Sequence, residues 1–410
     1  MGVLGVLFSG TGLLLAGEAL RAHRQLACVS LPGICGDELS RYPSLTVIRP
    51  IRGLDAGAEA NLRAALDHGY PGEVELLFVL DDEREPILPV LRAMLARTQA
   101  EARVLFSGHP PAGRTGKLNA MIVGLAQSRG ELVAFADSDI RPDRNALSAL
   151  VRTLLSAPDF GAAFAPIVAT EAPRTVGDAG YALMLNGLYT PAFHLVAERN
   201  RGVMPFLMGQ LMVFRREAIT AIGGLESAQG QLVDDMYLGE CLVRAGYRNV
   251  VCSQVVPVIQ RNLALSEFVS IYARWLTFSR SGLPMGAFKL ISWRRGIVFW
   301  GGLAVCVFAM LRGSWLLALP AACAPLLTAA SINRLHTRQT GASLPLRFSW
   351  VSFALLLAAP LVMLRVLFWR KVRWRGRCYA LDPAARLARA DTGDSSSQAE
   401  TSPKTNNAAP

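Results

Sequence analysis

The stretch LVAFADSD at residues 132–139 decides how this chain is read: five apolar residues, a length that suits a buried strand, run straight into Asp137 and Asp139. A second junction of the same kind lies upstream, where VELLFVL at 74–80 ends in Asp81 and Asp82. In open α/β sheets, ligands bind outside the carboxyl ends of the strands, so both acidic pairs fall where a site is expected. Working outward, short apolar runs at 45–48, 103–106, 162–166 and 211–214 are further candidate strands. Helical patterns at 56–68, 85–99, 117–128 and 144–156 sit between the early ones. This alternation predicts an α/β domain over residues 40–260, with a mostly parallel, Rossmann-like sheet.

A third acidic pair, Asp234 and Asp235, opens a helical pattern after a glycine-rich turn. Two basic stretches accompany the carboxylates. RPIRGLD at 49–55 follows the first strand, and its backbone around Pro50, Arg52 and Gly53 can approach a nucleotide. GRTGKLN at 113–119 opens a helix with Lys117 near its start and Asn119 just beyond, and a helix N-terminus with a lysine is a natural anion site. Neither a Walker A loop nor a Gly-x-Gly-x-x-Gly fingerprint is present, which disfavours P-loop and NAD chemistry. Sugar transfer from a nucleoside diphosphate needs this kind of set. One or two carboxylates hold a divalent cation against the departing diphosphate, and another takes the proton of the attacking hydroxyl, worth roughly 10²–10⁴ in rate. Taken singly, an acidic pair after a strand is as readily a cap or solvated turn, Asp82 and Asp234 most of all. The ordered set of three beside two basic stretches favours the site.

The chain has 410 residues, 52% of them apolar, and a net charge of +11. A basic surface suits anionic lipid or a diphosphate. No helix-turn-helix, zinc-finger or aromatic-basic RNA signature occurs, so nucleic acid is not an expected partner. Seven scattered cysteines form no C-x-x-C pair, and five isolated histidines form no ligand cluster. That pattern reads as free thiols in a reducing compartment, without zinc.

Residues 2–20 are nearly all apolar and span about 28 Å as a helix. Arg21 and Arg24 follow them and no positive charge precedes them, which predicts a transmembrane helix with its N-terminus outside and the following domain in the cytosol. Residues 264–282 predict a helix capped by Ser266, with Phe268, Ile271, Tyr272 and Trp275 along one stripe, set at the bilayer surface. Apolar stretches at 297–311, 314–332 and 348–369 follow; the first is short for a span, and Pro320 and Pro360 interrupt the others. The expected partition is an N-terminal transmembrane helix (1–21), the α/β domain (40–260), an amphipathic interfacial region (261–295), C-terminal membrane segments (296–370), a basic cytosolic segment (371–389) and a disordered tail (390–410). Three full C-terminal spans place segment 371–389 on the side opposite the domain, so one stretch is expected to be re-entrant or interfacial.

The ordered motifs RPIRGLD, the acidic turn at Asp81, GKLN, ADSDIR, MGQLMVFRR, AIGGL, VDDMYLG, ARW and WRGRCY resemble those of inverting family-2-type glycosyltransferases with the GT-A fold, most closely the ceramide glucosyltransferases. The resemblance covers roughly residues 1–380. It implies that Asp81 contacts the uracil and ribose side of a UDP-sugar, and that Asp137 and Asp139 hold Mg²⁺ or Mn²⁺ and the diphosphate. Asp235 is then the general base, with Gly209, Gln210 and Asp234 on the acceptor side. Arg274 and Trp275 match the end of a Gln/Arg-x-x-Arg-Trp motif near diphosphate and acceptor, and Trp374, Arg375 and Arg377 match a C-terminal motif on the catalytic side. Ile271 departs from that motif's Gln or Arg, and Thr190-Pro191 stands for a His-Pro pair. The implied enzyme is a multi-pass membrane protein, as in a bacterial inner membrane, that moves a hexose, glucose first, from UDP to a ceramide-like lipid with inversion. A hopanoid or other lipid N-acetylglucosaminyl- or hexosyltransferase, a processive polysaccharide synthase and an inactive membrane scaffold are the competing readings.

Overall fold

The computed structural model describes residues 3–29, 34, 36–277 and 286–388. The expected tail at 390–410, residues 1–2 of the expected N-terminal span and residues 278–282 of the expected surface helix lie outside the described residues.

Each apolar run expected to be a strand is one. In chain order the strands are β1 (Leu45–Pro50), β2 (Val74–Leu80), β3 (Ala102–Phe106), β4 (Leu132–Ala136), β5 (Phe160–Phe164), β6 (Ile167–Ala169), β7 (Val203–Met204), β8 (Leu211–Arg215), β9 (Arg248–Val251), β10 (Val256–Val258), β11 (Lys371–Trp374) and β12 (Arg377–Ala380). Eight make one sheet in the order β3-β2-β1-β4-β8-β5-β9-β7. β3, β2, β1 and β4 are mutually parallel, and β8 runs antiparallel between β4 and β5. The central strands are apolar on both faces because both faces are covered: Leu76, Leu77, Phe78, Val79 and Leu80 are all buried.

Helices supply that cover. On one face lie α2 (Ala58–Leu66), α3 (Leu88–Leu95) and α5 (Ala146–Leu155), contributing Leu62, Leu91 and Leu150. On the other lie α4 (Gly116–Ala126), α8 (Arg216–Ala221) and α9 (Asp234–Arg244), contributing Met121, Ile219 and Leu238. Between β6 and β7 the chain forms α6 (Val176–Leu183), one π-helical stretch (Met184–Tyr189) and α7 (Thr190–Arg199). These helices are buried almost all round, so the sequence carries no amphipathic stripe to announce them.

The expected surface helix is α10 (Leu265–Thr277). It starts one residue ahead of Ser266, so Ser266 is not its cap; instead the Glu267 carboxylate accepts from the Ala264 amide at 2.8 Å. Phe268 and Tyr272 of the predicted stripe are buried, with rings stacked 5.9 Å apart. Gly180 of α6 faces the Phe268 ring, where a Cβ would lie 2.6 Å from a ring carbon.

The long apolar helices are α1 (Val3–Ala27), α11 (Gly286–Leu311), α12 (Trp315–Thr340) and α13 (Val351–Phe368). Among the described residues two segments, Gly286–Leu311 and Leu346–Phe368, are long and apolar enough to cross a membrane by length and composition. The run expected to be short at 297–311 belongs to a 26-residue helix that begins upstream at Gly286. Nor do the prolines interrupt: α12 runs through Pro320 and α13 through Pro360, as a long apolar helix held by its neighbours tolerates. Glu18 of α1 pairs with Arg294 of α11, and His23 bonds Ser331 of α12 at 3.1 Å. The far end of α12 docks on the α/β domain, where His336 meets Asn186 at 3.1 Å.

Candidate active site

The sheet topology collects the functional side chains at one edge. β1, β2 and β4 end together, which places Pro50 and Arg52, Asp81, and Asp137 side by side. Because β8 is antiparallel to β4, it starts where β4 stops; the Asp137 amide donates to the Gln210 carbonyl at 2.8 Å, and this brings residues 208–210 to the same edge. A cavity of about 810 Å³ opens there. Asp81, Lys117, Asp137, Asp139, Gln210, Asp234, Asp235, Arg274, Trp275, Trp374, Arg375 and Arg377 all line it. Carboxylates from β2, β4 and α9 therefore share one hollow, as the sequence reading required.

Lys117 is the electrostatic centre. It is the second residue of α4, whose N-cap Thr115 accepts from the Leu118 amide at 3.1 Å. Its Nζ lies 2.6 Å from Asp137 Oδ1 and donates to the Gly209 carbonyl at 2.9 Å. Burial alone disfavours its charge, but Asp137, Asp234 and Asp235 outweigh that and hold it protonated. The carboxylates bear the complementary cost. Burial first, then Asp235, pushes Asp234 up to about 7 against the pull of Lys117, and its Oδ2 has no hydrogen-bond partner. Burial also raises Asp235, which accepts from the Met236 amide at 2.8 Å. Asp234, which pattern alone reads as a cap or turn and the family resemblance puts on the acceptor side, is 3% exposed and lines the cavity beside its neighbour. Asp82 does take the bland role, accepting from the Arg84 amide at 2.7 Å.

Burial, reinforced by Asp137, pushes Asp139 up to about 6, and Gln260 donates to it at 3.1 Å. Asp137 and Asp139 are two positions apart at the end of β4, and each already faces a cation, Lys117 at 2.6 Å and Arg375 at 3.9 Å. Among the described residues no group of three or more His, Cys, Asp or Glu gathers into a cage. Two carboxylates of this kind suit a hard divalent cation that completes its shell with water and substrate phosphates.

The predicted C-terminal motif forms the roof. β11 and β12 pair as a hairpin whose turn, Arg375 and Gly376, takes left-handed backbone angles of φ 49° and 75°. Arg375 pairs with Asp55 and lies 3.9 Å from Asp139. Arg377 and Arg52 both donate to Asp81 Oδ2, at 2.9 and 2.5 Å. Arg274 stacks its guanidinium 4.8 Å from the Trp374 ring centroid. Burial, then Arg375, lowers Arg274 to about 10, so it remains a cation at neutral pH. Trp275 packs edge-on against Tyr189 at 5.1 Å.

Three predicted residues do not face the cavity. Asn119 is buried and turns its amide to the Ser107 carbonyl at 3.0 Å, bracing the loop after β3. Gly53 donates its amide to Glu85 at 2.7 Å in a turn with φ 75°. Gly209 backs Asp235: a Cβ there would lie 2.5 Å from the carboxylate Oδ2 and 2.8 Å from its Cβ. Gly209→Ala is therefore expected to lower turnover by roughly 10²-fold, because helix α9 holds the Asp235 backbone and only the carboxylate can yield; measured turnover within twofold of wild type speaks against this packing role. The sequence reading passed over Asp55, Ser138, Gln260 and Tyr379. Asp55 stood in RPIRGLD, but its partner Arg375 lies 320 residues away. Of the two departures from the family motif, Ile271 lines the cavity wall, and Thr190-Pro191 starts α7 with the Thr190 hydroxyl bonded to the Ile167 carbonyl at 3.3 Å.

Known proteins resemble this chain. Ceramide glucosyltransferase 3 of Caenorhabditis elegans is 22% identical over 249 residues, 60% of this chain and 53% of that protein. An N-acetylglucosaminyltransferase of Rhizobium meliloti is 27% identical over 239 residues, 54% of this chain and 53% of that protein. The chain spans about half the length of these curated relatives. Among solved structures, a mannosyltransferase of Pyrobaculum calidifontis in complex with GDP-Man and Mn²⁺ is 20% identical, with a TM-score of 0.46 over 87% of this chain and 99% of that one. The sequence profile of glycosyl transferase family 21 matches residues 21–387, nearly the whole length over which the sheet, the carboxylate edge and the roof hairpin were traced, and the chain belongs to that family.

Proposed function

We propose that the protein transfers a hexose, glucose first, from a UDP-sugar to the hydroxyl of a ceramide-like membrane lipid, with inversion, at the cytosolic face of a membrane. One observation carries this reading. The cavity that gathers the carboxylates and cations continues without a break into an apolar wall of Tyr189, Phe193, Phe206, Trp275 and Phe288. Phe288 belongs to the first turn of α11, a helix long and apolar enough to span a bilayer. A water-soluble donor and a lipid acceptor can thus meet at one point.

In this reading Asp81 faces the nucleoside, and Asp137 and Asp139 hold Mg²⁺ or Mn²⁺, which when bound neutralises the diphosphate. Lys117, Arg274 and Arg375 supply further positive charge where the leaving group gathers electrons. The acceptor oxygen attacks the anomeric carbon from the face opposite the diphosphate. The carbon–oxygen bond to UDP breaks with its electron pair on UDP, and the acceptor proton passes to Asp235. Burial raises the Asp235 carboxyl, which strengthens it as a base.

The test is purified protein in lipid nanodiscs given UDP-glucose and ceramide. Expected is one hexose added per lipid, by mass spectrometry, with stoichiometric UDP release that EDTA abolishes and excess Mg²⁺ or Mn²⁺ restores. UDP release independent of lipid, or a ladder of multiply glycosylated product, overturns the reading. Parallel reactions with UDP-N-acetylglucosamine and with hopanoid acceptors are included because of the Rhizobium relative.

A further inference from the structure

We propose that α13, the most apolar helix of the chain by mean hydropathy among the two candidate spans, does not cross the membrane but lies in the plane of its cytosolic face. This rests on the reading that the protein is membrane-bound.

The first support is connectivity. α12 ends on the α/β domain through His336 and Asn186, and Asn333 near that end donates to the Ser349 carbonyl at 2.9 Å, just ahead of α13. After α13 the chain returns to the same domain within a few residues. Arg375 reaches Asp55, Arg377 reaches Asp81, the Gly116 amide donates to Tyr379 at 3.1 Å, and the Leu387 amide donates to the Gly230 carbonyl at 2.8 Å. A segment that leaves and rejoins one folded domain crosses a bilayer an even number of times. Only one long helix lies in this segment, so the number is zero. The α11–α12 pair obeys the same parity: leaving the domain after α10 and returning at His336, it crosses twice or not at all.

The second support is the distribution of side chains. Val351, Leu355, Val362 and Val366 are buried on one side of α13, which packs on α6 and α10 of the catalytic half and also on α11 and α12. Leu357, Leu361, Leu364 and Phe368 are exposed at spacings of four, three and four, one continuous stripe on the other side. The third is the rim. Trp350 and Trp369 are exposed at the two ends, with Arg347, Arg365, Arg370 and Lys371 around them, and the Arg365 guanidinium lies 5.3 Å from the Trp369 ring. Tryptophans and basic residues set both ends of the helix at headgroup level, and the connectivity puts both ends in one leaflet. The surface is therefore a lipid-binding one, and its occupant is the acyl–headgroup boundary of the cytosolic leaflet.

The experiment uses the full chain in sealed vesicles of defined orientation. Two single-cysteine forms carry either Cys378, which is exposed in the roof hairpin, or an Ala342→Cys change in the exposed turn before α13. Expected is labelling of both by a membrane-impermeant maleimide from the same vesicle face. Labelling from opposite faces overturns the in-plane helix and leaves the membrane reading standing. Release of the protein by alkaline carbonate overturns both. A nitroxide on Leu361→Cys gives an independent depth: about 5–10 Å below the headgroup boundary is expected for a surface helix, whereas about 15 Å, the middle of a hydrocarbon core about 30 Å thick, overturns the proposal.

Discussion

Asp235→Asn is expected to lower lipid glycosylation by about 10³-fold, within the range of general-base effects, while UDP-sugar affinity changes by less than about threefold. The substitution is nearly isosteric. It keeps an acceptor oxygen for the Met236 amide, so the start of α9 survives, and it removes only the capacity to take a proton. Steady-state UDP release gives the first number and calorimetric titration of donor the second. Equal losses in both assign Asp235 to donor binding instead. Asp234→Asn separates the pair, because the Asp234 carboxylate accepts from the Asp235 amide at 2.9 Å and acts on its neighbour's position. In the wild type, burial raises both carboxyls, Asp234 to about 7. The base works only when deprotonated, so turnover is expected to fall as pH is lowered, and to begin falling at a higher pH than an ordinary carboxylate would give, because burial raises Asp235.

Lys117→Met is expected to be comparably severe for a different reason. The ammonium is the shared counter-charge of Asp137, Asp234 and Asp235. Removing one partner of a buried ion pair leaves an uncompensated charge, typically about 3–5 kcal/mol if nothing relaxes. Here the carboxyls relax by taking up protons. Turnover at pH 7 is expected to fall roughly 10²–10³-fold, and the rising limb of the pH profile is expected to move to higher pH by about one to two units, each unit representing about 1.4 kcal/mol. A profile that drops without moving overturns the counter-charge role and leaves Lys117 as a contact to the diphosphate alone.

Much of this site was legible before any coordinates. Runs such as VELLFVL and LVAFA are covered on both faces, so they are apolar throughout, and the acidic residue where each stops marks the open edge of a parallel sheet. What the sequence hid was direction and distance. Nothing in GKLN says that Lys117 turns into the cavity while Asn119, two positions on, turns away to Ser107. Helices α6 and α7 escaped because burial on all sides erases the stripe by which a surface helix is read. The prolines of α12 and α13 misled for the converse reason: a breaker in a solvated helix is tolerated in an apolar one whose neighbours hold it. The helix cap assigned to Ser266 failed because Glu267 offers a longer reach to the Ala264 amide.

The roof hairpin carries a consequence for biogenesis. Arg377 meets Asp81 across 296 positions of chain, and Arg375 meets Asp55 across 320. Translation delivers the acidic residues early and these arginines only after every long apolar helix has emerged. During that interval Asp55 lacks its Arg375 partner and Asp81 has Arg52 alone, and a polypeptide stalled or clipped before residue 371 keeps them so. On the proposed reading, activity then arises only in molecules whose long apolar helices have already been synthesised, which ties the onset of sugar transfer to their completion.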